Sequence, residues 1–109
     1  MASELFKVAV KPTCSNSETK LIDGASVKTY VILSITICET AGAAETFDLY
    51  VDDDDGGTDH YIYKTQALGA NETFEHTGRI VLEARDMLGI ITASSADLDV
   101  VVSYLDQTL

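Results

Sequence analysis

Basic residues, proline and tryptophan are scarce in this sequence. Its 109 residues contain 7 lysines and arginines against 18 aspartates and glutamates, with one proline and no tryptophan, and the formal net charge is −11. Lysine and arginine neutralise nucleic-acid phosphates and anionic lipid surfaces, so this balance argues against nucleic-acid and membrane partners. The lack of tryptophan also disfavours a dedicated sugar-binding platform. The length predicts one domain with a sizeable buried core.

Long hydrophobic runs are lacking as well. The apolar segment at 8–10 is too short for the core of a signal peptide, and the stretch at 27–38 is too short and too polar to cross a bilayer. We therefore expect a protein that is assembled in a cytoplasm, without an export signal of its own. Cys14 and Cys38 are the only cysteines. We expect both thiols to stay reduced. The alternative is a disulfide between them.

Alternation of apolar and polar residues with period two dominates the chain and predicts β-strands. In the segment 27–37 the alternating residues are mostly β-branched, which suits a half-buried pleated surface. The predicted inward face consists of Val27, Thr29, Val31, Leu33, Ile35 and Ile37. Tyr30 is predicted to point outward from this strand.

A second alternation follows the break at 41–44. It places Phe47, Leu49 and Val51 inward and Tyr50 outward. The two alternating segments together predict an antiparallel hairpin with a loop of about four or five residues.

Further strand patterns recur along the rest of the chain at intervals of about 8–12 residues. The clearest is the last, in which Leu98, Val100, Val102 and Tyr104 are predicted to point inward. The fold class is therefore all-β: an antiparallel β-sandwich, immunoglobulin-like or jelly-roll-like, of seven to nine short strands. We expect one domain overall, with a β-sandwich at 27–109. The segment 1–26 is a candidate docking arm with an edge strand.

Catalytic signatures are absent from the sequence. The two histidines, His60 and His76, lie on predicted strands and are expected to be exposed. No nucleophile lies at a G-x-S-x-G turn, and the glycines at 56–57 lack the lysine and helix of a phosphate-binding loop. The chain is therefore predicted to be non-enzymatic and to carry no cofactor.

The acidic loop at 52–59 is the one candidate ion site, with Asp52, Asp54 and Asp59 as candidate ligands. Hard oxygen ligands close together in sequence suit Ca²⁺. The EF-hand register fails, because with Gly57 at the sixth place the twelfth place falls on Tyr63. A solvated acidic loop is the alternative interpretation.

Candidate interface residues occur in two places. Tyr61 and Tyr63 are two apart and are predicted to share one strand face, where they would anchor an interface, stack on sugar rings or cap the core. Phe6, Lys7 and Lys11 belong to the less acidic part of the chain, since residues 1–38 carry a net charge of +1 and residues 39–109 carry −12. The molecule is therefore predicted to have a docking end and an outward, acidic end.

Four stretches of the chain resemble small β-sandwich virion proteins of tailed bacteriophages. They are Tyr61-Ile62-Tyr63-Lys64, the segment from Leu68 to Phe74, the segment from Ile80 to Leu88, and the segment from Asp97 to Leu105. A long strand like that at 30–38, placed before a sequence like that at 45–51, adds to the likeness, which covers about residues 27–107.

The resemblance implies a structural role on the virion. The implied function is decoration or stabilisation of the capsid exterior, with the major capsid protein or tail proteins as partners and a homo-oligomeric state. The alternative is a tail- or fibre-associated protein for attachment or host glycan binding. Arg85 stands where such chains usually have glycine, and this departure is expected to alter that loop without changing the fold.

Overall fold

The computed structural model describes residues 3–24, 28–53 and 57–108, and within them every regular element is a β-strand. The nine strands are β1 (Ser3–Cys14), β2 (Thr19–Asp23), β3 (Lys28–Glu39), β4 (Glu45–Asp52), β5 (Asp59–Leu68), β6 (Thr73–His76), β7 (Ile80–Leu82), β8 (Met87–Thr92) and β9 (Leu98–Thr108). They confirm the predicted all-β class. β1, β3 and β9 are longer than the predicted short strands.

Two antiparallel sheets form a sandwich. We call them sheet A, ordered β1-β9-β3-β6 with β7 also paired to β3, and sheet B, ordered β2-β8-β4-β5. Consecutive strands from β1 to β4 alternate between the sheets, and only β4 and β5 are neighbours both in sequence and in a sheet. When β6 and β7 are counted as one interrupted strand, this is the eight-stranded order of a jelly roll, so the immunoglobulin-like alternative is wrong.

The predicted hairpin between 27–37 and 47–51 is wrong, because β3 and β4 lie in different sheets. The corner between them is held by Glu39, whose side chain is only 1% exposed. Its carboxylate accepts backbone N–H bonds from Ala41, Gly42 and Ala43, and from Asn71 in the turn after β5, at 2.9–3.1 Å. These bonds, led by that from Asn71, hold the pKa of Glu39 below its usual value although desolvation raises it.

The predicted inward face of β3 is correct only in its second half. The pairing of β3 with β9 shifts between Ile32 and Ser34, so Leu33 is an extra residue in the strand. A bulge of this kind reverses the alternation beyond it. Tyr30 and Ile32 are therefore buried before the bulge, and Ile35 and Ile37 after it, while Thr29, Val31 and Leu33 are only partly buried. Val27 lies outside the described residues.

Tyr50 points outward from sheet B, as predicted, but it is buried. Its neighbour Leu49 faces the core, and the Tyr50 ring lies on the opposite side of the sheet over Gly89 of β8. A Cβ atom on Gly89 would come within 2.8 Å of that ring, so only glycine leaves room for it. Tyr61 covers the ring from the side, with ring centroids 5.8 Å apart.

The core lies between the sheets. β9 supplies Leu98, Val100 and Val102, all 0% exposed, and Tyr104 packs against them, which confirms the inward face predicted for the last strand. The described residues of the segment 1–26 contribute to both layers, since β1 borders sheet A and β2 borders sheet B.

The loop around Arg85 keeps the backbone geometry that favours glycine. Arg85 has a φ of 70°, in the left-handed region that L-residues with side chains seldom adopt. The residue that departs from the virion-protein pattern thus occupies a turn position suited to glycine.

Candidate assembly surface

The outer face of sheet A is apolar and uncharged over most of its area. Cross-strand pairing places on it residues from β1, β9, β3 and β7. These are Phe6, Val8, Val10, Val101, Ser103, Leu105, Val31, Ser34, Thr36 and Val81. Val81 is 58% exposed and Val101 is 37% exposed. In a chain with a net charge of −11, an uncharged face of this extent is the kind of patch that marks an interaction surface.

β1 forms one border of this face, and its apolar side chains are the most open of the molecule's described part. Phe6 is 80% exposed, Val8 60% and Val10 59%. Phe6 and Val8 border a shallow groove with Leu33 and Ser103. In the described structure β1 pairs with β9 alone, so its other edge carries no neighbouring strand.

Lys7 points to the opposite side of β1, where it meets a buried carboxylate. Its Nζ lies 2.9 Å from Asp106, and Lys28 approaches the same carboxylate at 3.0 Å. The Asp106 side chain is 4% exposed, against 41% for Lys7 and 29% for Lys28. The hydrogen bond from Lys7 is the main cause that lowers the pKa of Asp106, and in return the pKa of Lys7 is raised. Lys7 thus serves an internal ion pair.

Lys11 lies two positions after Ala9 and four after Lys7, on the same side of β1. It borders a cavity between β1 and β2, lined also by Leu21 and Tyr30. The structure therefore separates the predicted N-terminal residues: Phe6 is on the open outer face, while Lys7 and Lys11 point toward sheet B.

The remaining sheet edges differ from β1 in length, charge or regularity. β6 and β7 have four and three residues. β2 has five and a register shift. β5 is long, but it carries Asp59, His60 and Lys64 and two register shifts, and Thr65 has a φ of 53°. Short, charged or bulged edges resist the addition of a further strand. Of the described edges, β1 is the one with a long regular stretch whose outer-face side chains, Phe6, Val8 and Val10, are apolar, and its Lys7 points to the inner face.

Tyr61 and Tyr63 do not share a face, so this prediction is wrong. Tyr61 pairs with the outward Tyr50, and Tyr63 pairs with the inward Leu49, because Ile62 between them is an extra residue in the ladder. Tyr61 is 49% exposed, and the Lys64 Nζ lies 4.2 Å from its ring centre. The tyrosine pair therefore forms no flat sugar-stacking platform.

Tyr63 belongs to an aromatic cluster at the open side of the sandwich. Its ring packs edge-on against Phe47 and Phe74, with centroids 6.5 and 4.9 Å away. Its hydroxyl lies 2.7 Å from Nδ1 of His76 on β6, which joins the two sheets. His76 is therefore not the exposed histidine that the sequence predicts: it is half-buried, and its Nε2 is buried without a hydrogen-bond partner. His60 is exposed, as predicted.

Two of the candidate calcium ligands lie directly opposite each other. Asp52 and Asp59 are a cross-strand pair on β4 and β5, and Asp54 lies outside the described residues. Desolvation raises the pKa of Asp59, and the carboxylates of Asp52 and Glu18 raise it further. Glu18 also accepts a hydrogen bond from the Tyr50 hydroxyl, whose pKa is raised by burial and by this contact. No group of three or more potential metal ligands occurs among the residues whose structure is described.

Cys14 and Cys38 are both free thiols. Cys14 is buried, and Cys38 is half-buried on the outer face of sheet A, next to Ser34 and Thr36 in the alternation. Burial raises the pKa of Cys14, which disfavours its reactive thiolate form. The described residues also contain no helix long and apolar enough to cross a membrane.

The sequence pattern does not single out Val81 or Val101 as interface residues. Each of these valines is an apolar residue at an outward position of its strand. An apolar residue at such a position was the only feature of the sequence that could have indicated an interface. It gained meaning only when the sheet order placed the two valines on one face with Phe6 and Val8.

Comparisons with known proteins find likeness in fold alone. No protein-family model matches the chain, and no curated protein matches its sequence. A structure of Bacillus endospore appendages, described as a novel family of disulfide-linked pili, is similar with a TM-score of 0.60 and 12% identity over 100% of this chain and 91% of that one. The capsid structure of Helicobacter pylori bacteriophage KHP30 is similar with a TM-score of 0.55 and 13% identity over 97% and 92%.

A structure of infectious bursal disease virus strain Gx is similar with a TM-score of 0.56 and 10% identity. The match covers 97% of this chain and 32% of that one, so this chain spans about a third of its length.

Proposed function

We propose that this protein is a non-enzymatic structural subunit of a bacteriophage virion that decorates or stabilises the capsid exterior. The observation that carries the proposal is the largely uncharged outer face of sheet A, with Phe6, Val8 and Val81 more than half exposed. Removing exposed apolar side chains from water lowers the free energy, so their burial against a partner would favour binding. The opposite face, which carries the exposed Asp59 and Lys64, suits contact with solvent.

The fold likeness supports the same proposal. The jelly-roll order recurs in viral capsid domains, and the similar KHP30 chain comes from a phage capsid structure. The chain resembles small virion proteins over about residues 27–107. In this role the partners are a major capsid protein and further copies of this chain, the location is the virion, and neither nucleic acid nor membrane is a partner.

Mass spectrometry and electron cryo-microscopy of the encoding phage's purified particles test the proposal. We expect the chain in stoichiometric copies at regular positions on the capsid, with the outer face of sheet A against the shell. Val81→Lys adds a charge to that face and should reduce incorporation strongly. Ala67→Lys, at an exposed position on β5, is the matched control and should incorporate normally. Absence of the chain from particles would refute the proposal.

A tail- or fibre-associated subunit is the second candidate. It is favoured by the fold likeness to the endospore-appendage pili, which extends over nearly the whole of both chains. Few copies confined to the tail would support this candidate against capsid decoration. Host glycan binding through Tyr61 and Tyr63 together is disfavoured, because the two rings lie on opposite faces of sheet B.

A further inference from the structure

We propose that β1 pairs antiparallel with β1 of a second copy of this chain, in a register centred on Val8. The proposal deepens the proposed function and rests on it, because it names a partner for the border of the assembly surface. The resulting dimer would join the two copies of sheet A into one continuous sheet around a twofold axis.

The first argument is the contrast among the edges. An unpaired strand edge presents backbone N–H and C=O groups that template pairing with another chain. In the described structure, β1 is a long edge strand whose outer-face side chains from Phe6 to Val10 are apolar. Its charged residues are Glu4 near one end and Lys7 and Lys11 on the inner face, and it lacks the two register shifts of the β5 edge. Its own irregularity is confined to the stretch between Lys11 and Cys14. Among the described strands of this protein, a second β1 is therefore the most suitable partner for the free edge of β1.

The second argument is that β1 is complementary to itself in this register. An antiparallel pairing centred on Val8 sets Val8 against Val8, and Phe6 against Val10, on the outer face. On the other face it sets Lys7 against Ala9 and Leu5 against Lys11. Each lysine thus lies opposite an apolar residue. The register therefore avoids like charges directly opposite each other, which destabilise a pair of strands.

The third argument is charge. Two chains of net charge −11 repel each other, so they should meet where the acidic charge is lowest. β1 carries Lys7 and Lys11 against one acid, Glu4. Asp106 already compensates the charge of Lys7. The β1 border is therefore a place where two copies can approach with little repulsion.

The fourth argument is continuity. Phe6, Val8 and Val10, the exposed apolar side chains that β1 places on the outer face, lie at the border of that face. Across the proposed twofold axis they would meet the same residues of the second copy. Pairing would cover part of each side chain and leave one larger apolar face, which fits the proposed docking onto a larger particle.

Analytical ultracentrifugation of the purified chain over a wide concentration range tests the inference. We expect a reversible dimer. Val8→Lys sets two like charges opposite each other at the twofold axis and should weaken the dimer by roughly tenfold or more. Val81→Lys is the matched control, because Val81 has nearly the same exposure on the same face, 58% against 60%, but lies on β7. It should leave the dimer intact.

Two double variants test the register. Phe6→Lys with Val10→Glu places opposite charges across the proposed axis and should retain a dimer. Phe6→Lys with Val10→Lys places like charges there and should be monomeric. Thermal unfolding of each variant shows whether it is folded, so a loss of dimer in a folded variant reports on the interface.

Hydrogen exchange measured by mass spectrometry separates strand pairing from face-to-face stacking. The backbone amides of the segment 5–11 that point to the free edge should gain protection as the protein concentration rises. The Val8→Lys variant should lose that gain.

The inference is overturned by a wild-type chain that stays monomeric at every concentration, by equal dimerisation of Val8→Lys and Val81→Lys, or by a dimer without added protection in β1. These readouts use the isolated protein, whereas the proposed function is read from virions. A capsid-bound monomer would overturn the pairing alone, and a β1 dimer that is absent from virions would overturn the virion role.

Discussion

The two outer faces of the sandwich differ in how far their aromatic side chains are exposed to solvent. On sheet B, Tyr50 is only 3% exposed, because Gly89 lies beneath it and Tyr61 packs against its ring. On sheet A, Phe6 is 80% exposed, and no described part of the chain covers it. The described chain therefore covers the aromatic ring on one outer face by itself and leaves the ring on the other face open.

Charge follows the same division. Glu18, Asp52 and Asp59 lie near Tyr50 on sheet B, where desolvation first, and the other two carboxylates second, raise the pKa of Asp59. The apolar face of sheet A, in contrast, has its acidic residues at the border, with Glu4, Glu75 and Asp99 at its ends. We therefore expect that changes on the outer face of sheet B alter stability and that changes on the outer face of sheet A alter association.

The largest expected effect comes from removing the covered ring of sheet B. Tyr50→Ala should lower the free energy of unfolding by about 3 kcal/mol, as for a buried aromatic residue replaced by alanine. The midpoint of thermal unfolding should fall by roughly 15 °C in a domain of this size. Tyr61→Ala, at a residue that is 49% exposed on the same face, is the control and should cost much less. Equal losses in the two variants would contradict the contrast between covered and open rings.

The next effect concerns the carboxylate beneath β1. Asp106→Asn should lower the midpoint at pH 7 by roughly 5 °C, because Lys7 and Lys28 lose their shared partner. The pKa of Asp106 is lowered in the folded state, so its stabilisation is present above the unfolded value of 3.8 and is lost as the pH falls through the folded value. The difference between the variant and the wild type should therefore disappear in strong acid, which melting curves across pH would show. A difference that persists there would contradict the ion-pair explanation.

The fold class could be predicted because regular alternation reports burial directly. In β9, every second residue from Leu98 to Val102 faces the core without interruption, and this face was predicted correctly. In β3 the alternation predicts the wrong face before Leu33, because a single extra residue reverses the alternation and the composition of the strand does not reveal it. The extra residue Ile62 has the same effect on Tyr61 and Tyr63.

The path of the chain between sheets could not be predicted from local pattern. The β3–β4 corner depends on Glu39, which binds the N–H group of Asn71, 32 residues away. A carboxylate at the end of a strand is usually exposed, so the residues near Glu39 in sequence do not predict that it is buried. The candidate surface was predicted in part: charge asymmetry indicated the region of Phe6, but Val81 joins that surface only through the pairing of β7 with β3.

A smaller effect of opposite sign is expected on the acidic side of sheet B. Asp59→Asn should raise the unfolding midpoint at pH 7 by a few degrees at most, because it removes a charge that lies near Asp52 and Glu18. The pKa of Asp59 is raised in the folded state, so its contribution is fully present below the unfolded value of 3.8 and is lost as the pH rises through the folded value. The advantage of the variant should therefore grow with pH. A variant less stable than the wild type at pH 7 would show that Asp59 has a stabilising partner instead.

The smallest effect on stability is expected from charges placed on the open face of sheet A. Val81→Lys and Val8→Lys should each change the free energy of unfolding by no more than about 0.5 kcal/mol when the protein is dilute enough to be monomeric. Their side chains already lie more than half in water, so little buried area is lost. Denaturant unfolding of both variants at low concentration measures this. A loss as large as that of Tyr50→Ala would mean that these valines belong to the protein's own packing, and the contrast between a face that the chain completes and a face that awaits a partner would fail.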